Sequence, residues 1–182
     1  MAAAGLDRAR RDAAAEADQV VESIAGAIRR IRGAGDSAEV LSALVDAATL
    51  FGGRAILLLR RGGTLMGFQA AGADGLRSRT DLARLSVDLA SAPALAHAVE
   101  SGDATVTAAT QDKISRKLWK AFPFERDGSV HVYPLVLREV VLAVLLVDGA
   151  SVRTMAIDSL VLTAEAWIEV LRLRQEHGTK WS

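Results

Sequence analysis

The chain has 182 residues, 51% of them apolar, with 22 Lys plus Arg against 22 Asp plus Glu and no cysteine. That length suits one domain with a sizeable core and some flanking helix. Balanced charge without a long block of either sign leaves no electrostatic footprint for nucleic acid or an anionic membrane. The lack of Cys excludes disulfides, thiolate metal sites, cysteine nucleophiles and thioether-linked cofactors.

The opening stretch MAAAGLDRARRDAAAEAD turns charged by Asp7 and lacks the apolar region of about 7 to 15 residues that a secretory signal needs. The cytoplasm is therefore the expected compartment. From about Leu6 to Arg32, the residues Leu6, Ala13, Ala17, Val20, Ile24, Ala27 and Ile31 follow a three-four spacing, and Val21 and Ile28 widen the seam. This predicts an amphipathic, coiled-coil-like helix within residues 1–35, with no obvious place on a sheet. A bundle between two subunits is its simplest use.

Asp36-Ser37-Ala38-Glu39 reads as an acidic capping box. It starts a helix whose apolar positions Val40, Leu41, Leu44, Val45, Ala48 and Phe51 run to Gly52-Gly53. In RAILLLRRGGTLMGFQAAG, residues 54–72, two apolar runs meet at Arg60-Arg61-Gly62-Gly63, a hairpin whose glycines supply positive φ. A short strand is expected around Leu82 to Leu89. Ser91-Ala92-Pro93 then opens the helix ALAHAVE, with serine as cap and Gly102 as stop. After a β segment from Ala104 to Thr107, Asp112 is expected to cap one helix, KISRKLWKAF. That helix aligns Ile114, Leu118 and Phe122 and ends before Pro123.

The stretch VYPLVLREVVLAVLLVDG, residues 132–149, approaches the roughly 18 apolar residues of a membrane span. Arg138 and Glu139 interrupt it, and each would cost about 2.5 to 3.5 kcal/mol at a bilayer centre. Two strands, 129–137 and 140–148, joined at that charged pair, fit better. Their unbroken apolarity implies a sheet covered on both faces. The last helix, about 155–175, carries one stripe of Leu160, Ala164, Trp167, Ile168 and Leu171 and a second of Leu162, Ala166, Val170 and Leu173. Two stripes need two partners.

The helix, the hairpin AILLLRRGGTLMGFQAAG, the phrase ASAPALAHAVESGDATV and the closing YPLVLREVVLAVLLVDG followed by a long helix together resemble a GAF domain over about residues 36–175. Residues 1–35 then form a helical extension and residues 176–182 a flexible tail. The resemblance implies an α+β fold, related to PAS domains, with a curved antiparallel sheet of five or six strands. The terminal helices cover one face, and a ligand pocket lies on the other, roofed by the segment between the hairpins. Domains of this family bind cyclic nucleotides, tetrapyrroles, amino acids or other small molecules, or simply dimerise. Many relatives carry glycine at the position of Glu139.

Within the family, bilin-attaching members need a cysteine and the free methionine sulfoxide reductases use several, whereas this chain has none. The N-K-x-x-x-F-D-E-type signature of cyclic-nucleotide binders is absent as well, so the resemblance names no cofactor. The pocket candidates it implies are Phe68, His97, Trp119, Phe122, Phe124 and His131. The aromatic ones could stack on a flat ligand or plug the cavity themselves, and both histidines lack any H-x-x-H or Glu-x-x-His company. Lys113, Arg116, Lys117 and Lys120 read as a solvated face. Ser91 and Ser115 have no His-plus-carboxylate context, so an enzyme is not expected.

Dimer contacts are expected at Val20, Ile24, Ile28, Ile31, Trp167 and Leu171. Two functions remain open. One is a regulatory module that binds a small molecule and signals through a helical homodimer to a separate signalling protein. The other is a ligand-free dimerisation or scaffold module with a self-filled pocket. Neither nucleic acid nor membrane is an expected partner.

Overall fold

The computed structural model describes residues 2–72, 82–122, 124–125 and 128–178. In chain order these form α1 (Ala2–Gly33), α2 (Ser37–Gly52), β1 (Arg54–Arg61), β2 (Thr64–Ala71) and β3 (Ser86–Asp88). A single 3-10 turn, Leu89–Ser91, leads into α3 (Pro93–Ser101), β4 (Thr105–Ala108), α4 (Gln111–Ile114) and α5 (Arg116–Ala121). The chain closes with β5 (Ser129–Leu137), β6 (Val140–Asp148) and α6 (Thr154–Gly178). Among the described residues the strands make one antiparallel sheet in the order β3-β2-β1-β6-β5-β4.

The α+β architecture expected from the sequence is present, and both hairpins lie where the apolar runs predict them. β1 and β6 are central and alternate between two cores. Ala55, Leu57, Ala143, Leu145 and Val147 face the helical layer α1, α2 and α6. Ile56, Leu58, Val144 and Leu146 face the layer built from the segment between the hairpins. A continuous apolar run is what such a strand requires, because neither face meets water. At the tip of the second hairpin Arg138 and Glu139 both have positive φ, 50° and 66°. This is the backbone of a two-residue hairpin turn, adopted here without glycine. Arg138 is held there by its guanidinium, which donates from Nε to Glu169 of α6 at 2.9 Å.

Two glycines admit a close backbone crossing. α2 ends at Gly52, and a Cβ on Gly149, just past β6, would stand 1.9 Å from the Gly52 carbonyl oxygen. A Cβ on Gly72, just past β2, would stand 1.9 Å from that of Gly53. The helix thus enters the sheet through a gap that only hydrogen can fill.

On the helical face the Asp36 cap forms as predicted. Asp36 Oδ1 accepts from Glu39 N at 2.8 Å, and Glu39 Oε2 accepts from Gly35 N at 2.7 Å. Helices α1 and α6 run parallel, because Glu16 pairs with Arg153 at 2.6 Å while Trp167 Nε1 donates to the Ala34 carbonyl at 3.0 Å. The seam of α1 is therefore used within one chain. Ala27 and Ile31 are fully buried against α2 and α6, and Val20, Ile24 and Ile28 are half-buried there. Packing between subunits was the expectation for this seam; Ile31 and Leu171 are instead buried by their own chain. Ala13 and Ala17 are exposed, and the side chain of Leu6 lies outside the described residues.

Between the hairpins the structure corrects three local readings. The strand predicted for 82–89 shrinks to Ser86–Asp88, because it pairs only with the start of β2. Ser91 does not cap α3, since its hydroxyl donates to the Asp88 carbonyl at 2.8 Å, and Ala92 holds the cap position. The single helix predicted from Asp112 is broken at Ser115, whose φ is 85° and whose Oγ accepts from Lys117 N at 3.3 Å. Asp112 sits in the first turn of α4 rather than at its cap, which is Thr110. The stripe of Ile114, Leu118 and Phe122 nevertheless survives and is fully buried. Pro123 lies outside the described residues, and α6 continues to Gly178, past the expected start of a tail.

Gly149→Ala is expected to destabilise the fold by about 3 kcal/mol or more, since the added methyl meets backbone that cannot move aside. Glu139→Gly is expected to stabilise it by about 1 kcal/mol by relieving a left-handed residue. Urea unfolding of both variants beside the parent checks the two signs.

Candidate functional site

On the sheet face away from the long helices, three of the predicted pocket residues meet. Phe124 stacks on Trp119 with centroids 5.7 Å apart and packs edge-on to Phe122 at 4.7 Å. Phe122 is 1% and Phe124 7% exposed, whereas Trp119 keeps part of its ring open. Around them stand Leu95, Val99, Ile114 and Leu118, buried in the same apolar cluster.

The other three candidates go elsewhere. Phe68 occupies a β-bulge, since Leu57 pairs with Gln69 and Leu58 with Gly67, and the extra residue turns its ring onto the helical core. His131 also faces the helical layer, stacked on Tyr133 with centroids 6.3 Å apart. Burial depresses its pKa, and Asp158 on α6 opposes that shift. His97 projects from α3 into solvent, as do Lys113, Arg116, Lys117 and Lys120 from α4 and α5.

Sequence reasoning missed the group that fastens the aromatic layer to the sheet. Asp148 reads as a turn residue before Gly149, yet it is fully buried. Its Oδ2 accepts from Arg54 Nη2 at 2.9 Å and from Glu125 N at 2.7 Å. One carboxylate thus joins the start of β1, the end of β6 and the residue after Phe124. Burial raises the Asp148 pKa, and the Glu125 amide and the Arg54 charge pull against that rise. The signal in the sequence is faint: a carboxylate directly ending a buried strand, with an arginine opening its antiparallel neighbour.

The helical face supplies a second candidate. The first stripe of α6 is buried on α1, α2 and the sheet, but the second is uncovered, with Leu162 65% and Leu173 39% exposed. Beside Leu162 a groove of about 430 Å³ runs between α1 and α6, lined by Ile28, Arg32, Ala166, Trp167 and Val170. Val21 on α1 adds another exposed apolar residue. Arg174 and Arg32 lie over the Trp167 ring at 5.1 and 5.9 Å, so its apolar body carries a cationic rim.

Among the described residues no group of three or more His, Cys, Asp or Glu is placed to hold a metal ion, and no helix is long and apolar enough to cross a membrane.

No family model and no curated protein sequence matches the chain. Solved structures do. Residues 122 to 287 of a methyl-accepting chemotaxis protein superpose with a TM-score of 0.67 at 17% identity, covering 84% of this chain and 99% of that one. The GAF domain/HD domain protein from Geobacter sulfurreducens gives 0.61 at 17% identity, with 79% and 99% covered. The chain has the GAF fold. A free methionine-R-sulfoxide reductase from Neisseria meningitidis, solved with its substrate, shares that fold at a TM-score of 0.61 and 15% identity, over 87% of this chain and 93% of that one. Within the GAF fold the aromatic cluster marks the layer between the hairpins, and α1, α2 and α6 form the helical face.

Asp148→Ala is expected to cost about 3 kcal/mol, because Arg54 and the Glu125 amide lose a buried acceptor. Asp148→Asn keeps an acceptor and removes the titration. A carboxyl whose folded pKa is raised contributes stability that is present below its ordinary pKa of 3.8 and lost as pH rises through the folded value. The parent's stability relative to Asp148→Asn is therefore expected to grow as pH falls toward 3.8, read by denaturant unfolding across that range.

Proposed function

We propose that this chain is a non-catalytic regulatory module of GAF fold that works as a homodimer, joined through the outward face of α1 and α6. The observation that carries this reading is the uncovered second stripe of α6, with Leu162 standing exposed beside a groove on the same pair of helices. A knob and a hole on one surface are self-complementary about a two-fold axis, which favours a second copy as occupant. Val20, Ile24, Ile28 and Trp167 would border such an interface, and residues 1–35 would extend it beyond the body formed by residues 36–175. The absence of cysteine from the chain agrees with a cytoplasmic setting and removes the nucleophile on which the family's reductases depend. The signal would leave through a separate signalling protein.

On the other face the reading is of a pocket filled by its own side chains, supported by the burial of Phe122 and Phe124. One observation favours the small-molecule alternative: the Trp119 ring is only half-buried, which leaves part of it for a flat ligand.

Sedimentation equilibrium tests the assembly. Ile31 is unsuitable as a probe, because a charge there would disrupt the fold of the single chain. Leu162→Glu and Val21→Glu are expected to weaken the dimer at least about tenfold with unchanged circular dichroism. Leu50→Glu, on the exposed side of α2, is expected to leave it intact. A monomeric parent, or a dimer indifferent to both α1 and α6 substitutions, would overturn the proposal.

A further inference from the structure

A second cleft lies on the helical side, where β4 is too short to cover its neighbour. β4 pairs with β5 only from Ser129 to Val132, so the rest of β5 presents an open edge to α6. Along that edge a cleft of about 340 Å³ has Pro134, Val136 and Val161 as apolar lining and Asp158 and Glu165 of α6 as its charged groups. Neither Lys nor Arg lines it. Opposite Leu135 and Val136 the neighbouring β6 is bulged at Leu142, and on the open side of β5 Glu165 Oε1 accepts the Val136 N–H at 2.6 Å.

Tyr133 also lines the cleft. It is only 3% exposed, yet its hydroxyl has no hydrogen-bond partner among the described residues. A buried phenol in that condition loses the hydrogen bonds it had in water unless something arrives to bond it. Burial pushes the Glu165 carboxyl above its ordinary pKa, and the Val136 N–H that it accepts pulls against that rise.

The spacing decides what kind of cation fits. Asp158 and Glu165 are seven residues apart on one helix, so their Cα atoms are separated by about 10.5 Å along its axis. That is too far for one metal ion, whose ligands sit about 2 to 2.6 Å from it. It suits an extended dication with an apolar middle. We propose that this cleft binds a short aliphatic diamine, its two ammonium ends held by Asp158 and Glu165, one of them also by the Tyr133 hydroxyl, and its methylenes lying on Val161 and Pro134. Each bond advances an extended chain by about 1.3 Å, so roughly four to six methylenes bridge the two carboxylates as they lean inward.

Isothermal titration of the full chain with 1,4-diaminobutane tests this, with butylamine and magnesium chloride as comparison probes. The expected result is one diamine per chain, bound at least tenfold more tightly than butylamine and not displaced by magnesium. Asp158→Asn and Glu165→Gln should each weaken binding about tenfold or more. The glutamine retains an acceptor for the Val136 amide, so the edge stays closed. Tyr133→Phe should weaken it about fivefold, the worth of one hydrogen bond. The cleft lies within one chain, so Val21→Glu should bind as the parent does whatever its oligomeric state. Absence of heat at millimolar diamine, equal affinity for butylamine, displacement by magnesium, or indifference to all three cleft substitutions would each overturn the proposal.

Discussion

Strands β1 and β6 are apolar on both faces, and everything else in the fold answers that constraint. A two-sided apolar strand is stable only when both faces are dry, at roughly 25 cal/mol per Å² of apolar surface removed from water. One face is dried by α1, α2 and α6, the other by the short elements between the hairpins. The two layers differ in kind. The helical layer is long and regular, whereas the opposite one is a chain of short helices and turns that needs a separate fastening.

Asp148 provides that fastening. A fully buried carboxylate is costly, and the cost is offset only where charge and hydrogen bonds converge on it. Arg54 and the Glu125 amide do so from two directions. Because Glu125 follows Phe124 directly, the register of the aromatic cluster over the sheet is tied to the ends of the two central strands. Trp119 is the one ring of that cluster that is not closed in.

Much of this architecture is legible in the residues themselves. Both hairpins follow from where apolar runs meet Gly62-Gly63 and Arg138-Glu139, and the α2 cap follows from Asp36 and Glu39. The site was less legible, for identifiable reasons. Counting back by twos from Ala70, which faces the roof, puts Phe68 there too, but a bulge, invisible to period-two reading, leaves it on the helical side. His131 alternates with Val130 and Val132, which face the roof, so an apolar strand alone could not say which of its sides carries the histidine. The seam of α1 was real, but periodicity reports that a helix buries one face and not whose chain covers it. Asp148 was hidden because an aspartate before glycine is also what an ordinary turn looks like.

Helix α6 is where the two halves of the functional argument meet. Its first apolar stripe belongs to the core and its second to the outside, while Glu165 and Glu169 reach the edge of β5 and the tip of the final hairpin through Val136 and Arg138. Leu162 borders both the outer groove and the cleft along β5. A rigid helix held at two points on a hairpin cannot shift at one end without moving the other. The edge of β5 and the outward face of α6 thus meet on one helix, which contributes side chains to both.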